Sequence, residues 1–223
     1  MEVQAIPTPT PPAELAAGIE YFFAVRPDDQ ARAEIAAAAA RFRRAQRVSG
    51  VPVPGDNLHL SLCPMGRPWR LRQPLEQALL AAGAKVQATG FTVTLDTAMR
   101  CLATGGQFPF VLCADRGTTD AALKLRKLIA EAQRAHGLQV NGVSSFHPHV
   151  ALQHGPAIDA IEESIASIHW HVREFVLIRS FFGQSSQEIV GRWPLAAEPE
   201  PEAIDLLAEL ASMPDLPELP DEP

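Results

Sequence analysis

The chain has 223 residues, 47% of them hydrophobic and 20% charged, which is enough apolar side chain to bury a core and too much for wholesale disorder. No apolar run reaches the ~18 residues of a membrane span, and the proline-rich stretch 1–12 lacks the basic start and apolar run of a signal peptide, so a cytoplasmic protein without membrane contact is expected. The net charge of −7 argues against a nucleic-acid partner only until it is located: residues 196–223 hold nine acids and no Lys or Arg, and without them the charge is +2.

Punctuation divides the chain into a Thr/Pro-rich head (1–18), a patterned body (19–195) and an acidic Pro-rich tail (196–223), of which only the body is expected to fold. Tyr21, Phe22, Phe23, Ala24 and Val25 form a short strand-type run. Pro27, Asp28 and Asp29 close it and open a helix, proline suiting the first turn and the acids its positive end. Ile35, Ala38, Phe42 and Ala45 give that helix an apolar stripe before a break at 49–55. Its arginines (Arg41, Arg43, Arg44, Arg47) read first as a solvated face and second as phosphate contacts. Asn57 to Leu62 alternates strictly, as a strand does, and a helix at 71–82 and strands at 91–96 and 98–103 follow.

The order then returns: a strand at 108–112, a helix at 121–136 with Leu125, Leu128, Ile129 and Ala132 on one face, and a strand at 146–152. Segments 170–182 and 187–193 read as a closing pair. Strand, helix and histidine-bearing strand therefore occur twice, with 37 positions from Phe22 to His59 and 39 from Phe110 to His149. Cys63, Cys101 and Cys113 lack CxxC spacing and sit in apolar runs, as small hydrophobes rather than disulfide or zinc partners. Trp69, Trp170 and Trp193 suit base stacking or the core, with the core expected for at least two. In the tail, Ile204, Leu207 and Leu210 could mark a short amphipathic helix that docks a protein partner, against a tail that merely solvates.

Strand alternation sends Leu58, Leu60 and Leu62 into the core and leaves Asn57, His59 and Ser61 on the other face. In the second unit Phe146, Pro148, Val150 and Leu152 are the apolar set, opposite His147, His149, Ala151 and Gln153. Packed as a pseudo-twofold pair, the polar faces line one cleft with an imidazole on each side. Such a pair suits in-line displacement at phosphorus: with an ordinary pKa of about 6.5, one imidazole takes a proton from water and the other, protonated, gives one to the departing oxygen. A hydroxyl two residues beyond each histidine would bind the phosphoryl oxygens. Ser61 supplies it in the first unit and Ala151 does not in the second, where Gln153 on the same face is a weak substitute; His154 should point away unless the strand ends or bulges there.

These segments, Tyr21 to Pro27, Asn57 to Leu62, Phe146 to Leu152 and the ending Gly191-Arg192-Trp193-Pro194-Leu195, resemble the 2H phosphoesterase superfamily, and within it the RNA 2′,3′-cyclic phosphodiesterases also known as 2′-5′ RNA ligases. The resemblance covers residues 19–195. It implies an α+β, bilobal, pseudo-twofold fold, with two antiparallel sheets flanking a central groove and helices outside. It also implies a metal- and cofactor-independent hydrolase that opens 2′,3′-cyclic phosphates of RNA ends or nucleotides to 2′-phosphates, with reversible 2′-5′ RNA ligation as a further activity. Carried over, His59 is the general acid, His149 the general base and Ser61 a phosphate-binding hydroxyl; Ala151 stands where the second hydroxyl is usual, and the basic residue often found three further along falls on His154. The expected partners are RNA ends or cyclic and 2′-5′-linked nucleotides, and a monomer is expected. Two rivals remain: a noncatalytic RNA- or nucleotide-binding derivative, for which Ala151 speaks, and a metal-dependent hydrolase using the His147/His149 or His169/His171 pairs.

Overall fold

The computed structural model describes residues 18–45, 50–101, 109–155, 161–181 and 186–197. In chain order the elements are β1 (Ile19–Val25), α1 (Asp29–Arg44), β2 (Val51–Pro52), β3 (Leu60–Pro64), β4 (Arg67–Pro68), α2 (Leu75–Gly83), β5 (Phe91–Arg100), β6 (Phe110–Ala114), α3 (Arg116–Ala135), β7 (Leu138–Gln139), β8 (His149–His154), β9 (Glu162–Val172), β10 (Glu174–Phe181) and β11 (Ser186–Pro194). The head before Gly18, the loop 102–108, Arg47, and the tail beyond residue 197 with Ile204, Leu207 and Leu210 lie outside the described residues. Among the described residues no helix is long and apolar enough to cross a membrane.

The two long helices start on aspartates. Asp28 accepts from the Ala31 N–H at 2.8 Å and Asp115 from the Thr118 N–H at 2.7 Å, each satisfying a donor that the first helical turn leaves unpaired. Pro27 therefore precedes the cap instead of entering the first turn, and α3 starts five residues ahead of the expected 121. The inward stripe of α1 is Ala31, Ile35, Ala39 and Phe42, with Ala45 exposed. On α3, Leu125 and Ile129 point inward as expected, whereas Leu128 is exposed. The expected strands 91–96 and 98–103 are one strand, β5, broken only by a register shift between Leu95 and Thr97. Trp170 belongs to β9, and the closing pair is β10 with β11.

The main sheet is antiparallel throughout, in the order β11-β10-β1-β3-β8-β6-β5-β9, with β2 added beside β8. Its two four-stranded halves, β11-β10-β1-β3 and β8-β6-β5-β9, are the two anticipated lobes. They meet at one residue pair, Leu60 opposite Val150. The helices share one face, α3 against β3 and β5, α1 against β9, and α2 between α3 and β10–β11. Between them and the sheet lies the core, with Phe23, Leu60, Leu62, Phe175 and Leu177 from one half, Leu95, Phe110, Leu112 and Val150 from the other, and Ile35, Phe42, Leu125 and Ile129 from the helices. Trp193 stacks on Phe175 at 5.1 Å and lies over Gly83 and Gly191, where a Cβ would stand 2.5 and 2.4 Å from its ring. Trp170 is also buried, while Trp69 is exposed. The opposite sheet face carries a small apolar patch of Ala24, Val176 and Ile178, bordered by Phe22 and Ile189.

Two buried polar side chains of α3 bind the halves together. The Arg126 guanidinium donates to the carbonyls of Leu62, Val143 and Gly142 and lies 4.8 Å from the Phe146 ring. It thus ties β3 to the loop leading into β8. Fully buried Gln133 accepts from the Gly66 N–H at 2.7 Å and donates to the Pro64 carbonyl at 3.2 Å, fixing the exit of β3. A lost hydrogen bond to a charged group costs ~1.5–3 kcal/mol, so Arg126→Leu should lower the urea-unfolding free energy by about 3 kcal/mol, with Arg126→Lys recovering little because an ammonium lacks the planar fork. A change below about 0.5 kcal/mol, within the range of ordinary surface substitutions, would show that the tie is unimportant.

Candidate active site

His59 and His149 stand at the one place where the halves touch. His149 opens β8, and His59, expected inside a strand, sits between the 3-10 turn Gly55–Asn57 and the first residue of β3. Counting outward from the Leu60–Val150 pair in antiparallel register sets His59 opposite Ala151 and Ser61 opposite His149. Directly opposed residues have Cβ atoms about 4.5–5.5 Å apart and diagonal ones about 7–8 Å, and this register sets the two histidines on diagonal positions. Leu58, Leu60, Leu62, Val150 and Leu152 are buried in the core, and the histidines are half-buried on the helix-free face, as the alternation requires.

The two histidines are held alike. His59 Nδ1 lies 2.7 Å from the Asn57 carbonyl and His149 Nδ1 lies 2.8 Å from the His147 carbonyl, in both cases two residues upstream. A carbonyl only accepts, so Nδ1 carries the proton in each ring and Nε2 is free for chemistry. Phe22, on the helix-free face of β1, packs its ring 4.8 Å from that of His59.

The repeat extends to a bulge that no alternation pattern shows. On β3, Ala24 pairs with Ser61 and Phe23 with Cys63, leaving Leu62 as an extra residue; on β8, Val111 pairs with Ala151 and Phe110 with Gln153, leaving Leu152. In each half the bulge lies three residues past the histidine. A bulge resets which face the following side chains take, and this corrects one expectation. Gln153 is not on the groove face but buried at 3% exposure, matching Cys63 at 0%. His154 instead lines a cleft of about 180 Å³ together with His59, Ala151, Asn57 and Val53. The strand both bulges and ends there, the circumstances under which His154 is expected to turn toward the groove. Ser61 is exposed next to the histidines.

The electrostatics are unequal. Burial pushes the His59 pKa below its ordinary 6.5; hydrogen bonding to the Asn57 carbonyl opposes this, and the positive charges of Arg26 and His149 lower it further. Arg26 is anchored on the Asp56 carbonyl beside the turn that precedes His59. Burial also raises the Cys63 thiol to about 11, so it stays a protonated small hydrophobe, and all three cysteines are free. Among the described residues no three His, Cys, Asp or Glu side chains are gathered as a metal would need. The His147 carbonyl orients His149, and His169 Nδ1 meets the Thr94 hydroxyl at 3.0 Å.

Among proteins of known function, the Escherichia coli (strain K12) RNA 2′,3′-cyclic phosphodiesterase is 32% identical over 151 residues, covering 66% of this chain and 81% of that protein. The chain belongs to the RNA 2′,3′-cyclic phosphodiesterase family of 2H phosphoesterases. No family model matches it. Solved structures share the fold: E. coli LigT complexed with 3′-AMP is 28% identical with a TM-score of 0.61 over 79% of this chain and 97% of that one. A Thermus thermophilus protein, at 24% identity and a TM-score of 0.58, covers 80% of this chain and 99% of its own. As a member of this family the chain is a phosphoesterase, a hydrolase.

Phe22, Arg26 and Arg126 are missed by pattern reading. Phe22 had a signal, since alternation puts it opposite the core-facing Tyr21 and Phe23; Gln133 had one too, as a polar residue four positions after Ile129 on a core stripe. For Arg26 nothing local marks it, because its effect on His59 acts through space. Followed by NMR, the His59 imidazole should titrate below 6.5, gaining its proton only as the pH falls through that lowered pKa. Arg26→Gln should move its titration upward, since a positive neighbour is removed. A titration above 6.5, or a downward move in the variant, would refute this account of the site's field.

Proposed function

We propose that this phosphoesterase opens 2′,3′-cyclic phosphates of RNA ends or nucleotides to 2′-phosphates, with His149 as general base and His59 as general acid. The observation that carries the reading is the pair of identically oriented imidazoles on diagonal positions of the β3–β8 junction, each with Nε2 free. His149 Nε2 takes a proton from water as its oxygen attacks phosphorus. The bond from phosphorus to the ribose 3′ oxygen breaks, and His59 Nε2–H protonates that oxygen. The 2′ bond remains. With a ribose 5′-hydroxyl in place of water, the same transfers form a 2′-5′ linkage.

Burial disfavours the charged form of His59, whereas the acid role needs the imidazolium. The arriving phosphodiester supplies the counter-charge that favours it, since an adjacent anion raises a histidine pKa. In this reading Ser61, opposite His149 by the register of the Leu60–Val150 pair, donates to a phosphoryl oxygen. On the His59 side the matching position is the methyl group of Ala151, with Asn57, His154 and Gln187 as the polar side chains lining the cleft beside His59.

Purified protein in EDTA should hydrolyse 2′,3′-cyclic nucleotides, and His59→Ala or His149→Ala should each lower kcat by at least about 100-fold, the usual scale of general acid–base catalysis. On an aryl phosphodiester whose leaving group needs no proton, His59→Ala should lose far less than His149→Ala. Equal losses on both substrates would reject the assigned roles. Loss of turnover in EDTA would restore the metal-dependent reading, and tight binding without turnover the noncatalytic one that Ala151 suggests.

Ala151→Thr should raise kcat/KM, by up to the ~10- to 150-fold that a 1.5–3 kcal/mol hydrogen bond represents. Steady-state kinetics on a cyclic mononucleotide decides this. A slower variant would mean that His154 already fills the hydroxyl's place.

A further inference from the structure

A cavity of about 900 Å³ lies apart from the histidine cleft. It lies at the far end of β3, beyond Pro64, and at ~3.3 Å rise per residue the five steps from His59 to Pro64 span about 17 Å. Its lining includes Trp69, Arg70, Arg72, Arg134 and His136 and contains no Asp or Glu. The positive charge is local, since residues 1–195 as a whole carry only +2. Arg134 is turned to the Val140 carbonyl in the last turn of α3, where it also offsets the negative end of the helix. Arg70 and Arg72 are exposed and have no side-chain hydrogen bond or ion pair among the described residues, leaving two guanidiniums for a ligand.

Trp69 is 67% exposed, yet its backbone is not loose. The N–H groups of Trp69 and Arg70 both donate to the Gly137 carbonyl, at 2.9 and 3.0 Å, and the preceding Arg67 and Pro68 pair with Gln139 and Leu138 in a two-stranded ribbon. Gly137 has φ +87°, and a Cβ there would stand 2.4 Å from the Arg70 carbonyl oxygen, so only glycine permits this approach. Gln133 clamps the other end of the ribbon at Gly66. An aromatic ring held toward solvent on a braced ribbon, with unpaired guanidiniums beside it, matches the physics of single-stranded nucleic acid, whose bases stack on aromatic faces and whose phosphates seek arginine.

We propose that this cavity is a second binding site for single-stranded RNA, in which Trp69 stacks a base and Arg70 and Arg72 hold phosphates several nucleotides from the end processed at His59 and His149. The assignment of RNA, rather than an acidic peptide, rests on the proposed function and on the exposed ring, which supplies a stacking face that a carboxylate-rich peptide does not need.

The test compares an oligonucleotide of about ten nucleotides ending in a 2′,3′-cyclic phosphate, within the ~4–16 nucleotide span of such sites, with a cyclic mononucleotide. Trp69→Ala should raise the oligonucleotide KM by about 5- to 150-fold, the worth of one stacked base, and leave kcat/KM on the mononucleotide unchanged. Trp69→Tyr should largely restore it. Arg70→Gln with Arg72→Gln should weaken binding of the same oligonucleotide without its cyclic phosphate and flatten its dependence on log salt by about 1.4, two single-strand phosphate contacts at ~0.7 each. No change in oligonucleotide KM, or an equal change on both substrates, would overturn the site. A peptide of residues 198–223 that binds in a Trp69-dependent manner while RNA does not would also overturn it. Trp69-dependent RNA binding by a protein that opens no cyclic phosphate would leave this site standing and remove the catalytic proposal.

Discussion

The geometry of the site depends on one contact between strands, the antiparallel pairing of Leu60 with Val150. It joins two four-stranded halves that are otherwise linked through the helix face, and it sets the phase of both histidine segments together. A slip of one residue would exchange core and groove faces along a strand, sending leucine into water and histidine into the core. Register here is therefore enforced by burial: Leu60, Leu62 and Val150 are all fully enclosed. Arg126 reinforces the same junction from behind, reaching the carbonyl of the bulge residue Leu62 on one side and those of Gly142 and Val143 on the other.

Around that junction the pseudo-twofold is closer in backbone than in side chains. Carbonyls two residues upstream orient both imidazoles, and leucines three residues downstream form both bulges. The symmetry then breaks where the chemistry needs two different partners. Phe22 packs on the His59 ring, burial and then the charge of Arg26 lower the proton affinity of that imidazole, and the residue facing it across the junction is Ala151, whereas His149 faces Ser61. A phosphate anchored more firmly on the Ser61 side would leave the leaving-group side freer.

Much of this was legible in the residues. The period-2 patterns at 57–62 and 146–152 placed both histidines on the helix-free face, and the repeated strand–helix–strand order gave two halves and a groove. Local patterns missed what depends on pairing. The bulge at Leu152 arises because Phe110 and Val111 span two steps of β8, so Gln153 turned inward and His154 outward against simple alternation. Helix starts were misplaced where a capping aspartate, Asp115, outweighed the first apolar periodic residue. Trp69 and the arginines beside it read as an unshaped loop because the ribbon that holds them is made with Gln139 and Leu138, about seventy residues away in sequence.

The central claim is that both imidazoles address one phosphorus through Nε2. It is tested most directly by ¹⁵N NMR of the histidine rings during titration with a nucleoside 2′-phosphate, the product the proposed reaction would leave. The account predicts that Nε2 of His59 and of His149 respond along one binding curve, while Nδ1 of each stays protonated on its backbone carbonyl. A response at only one of the two rings, or separate curves for the two, would contradict it.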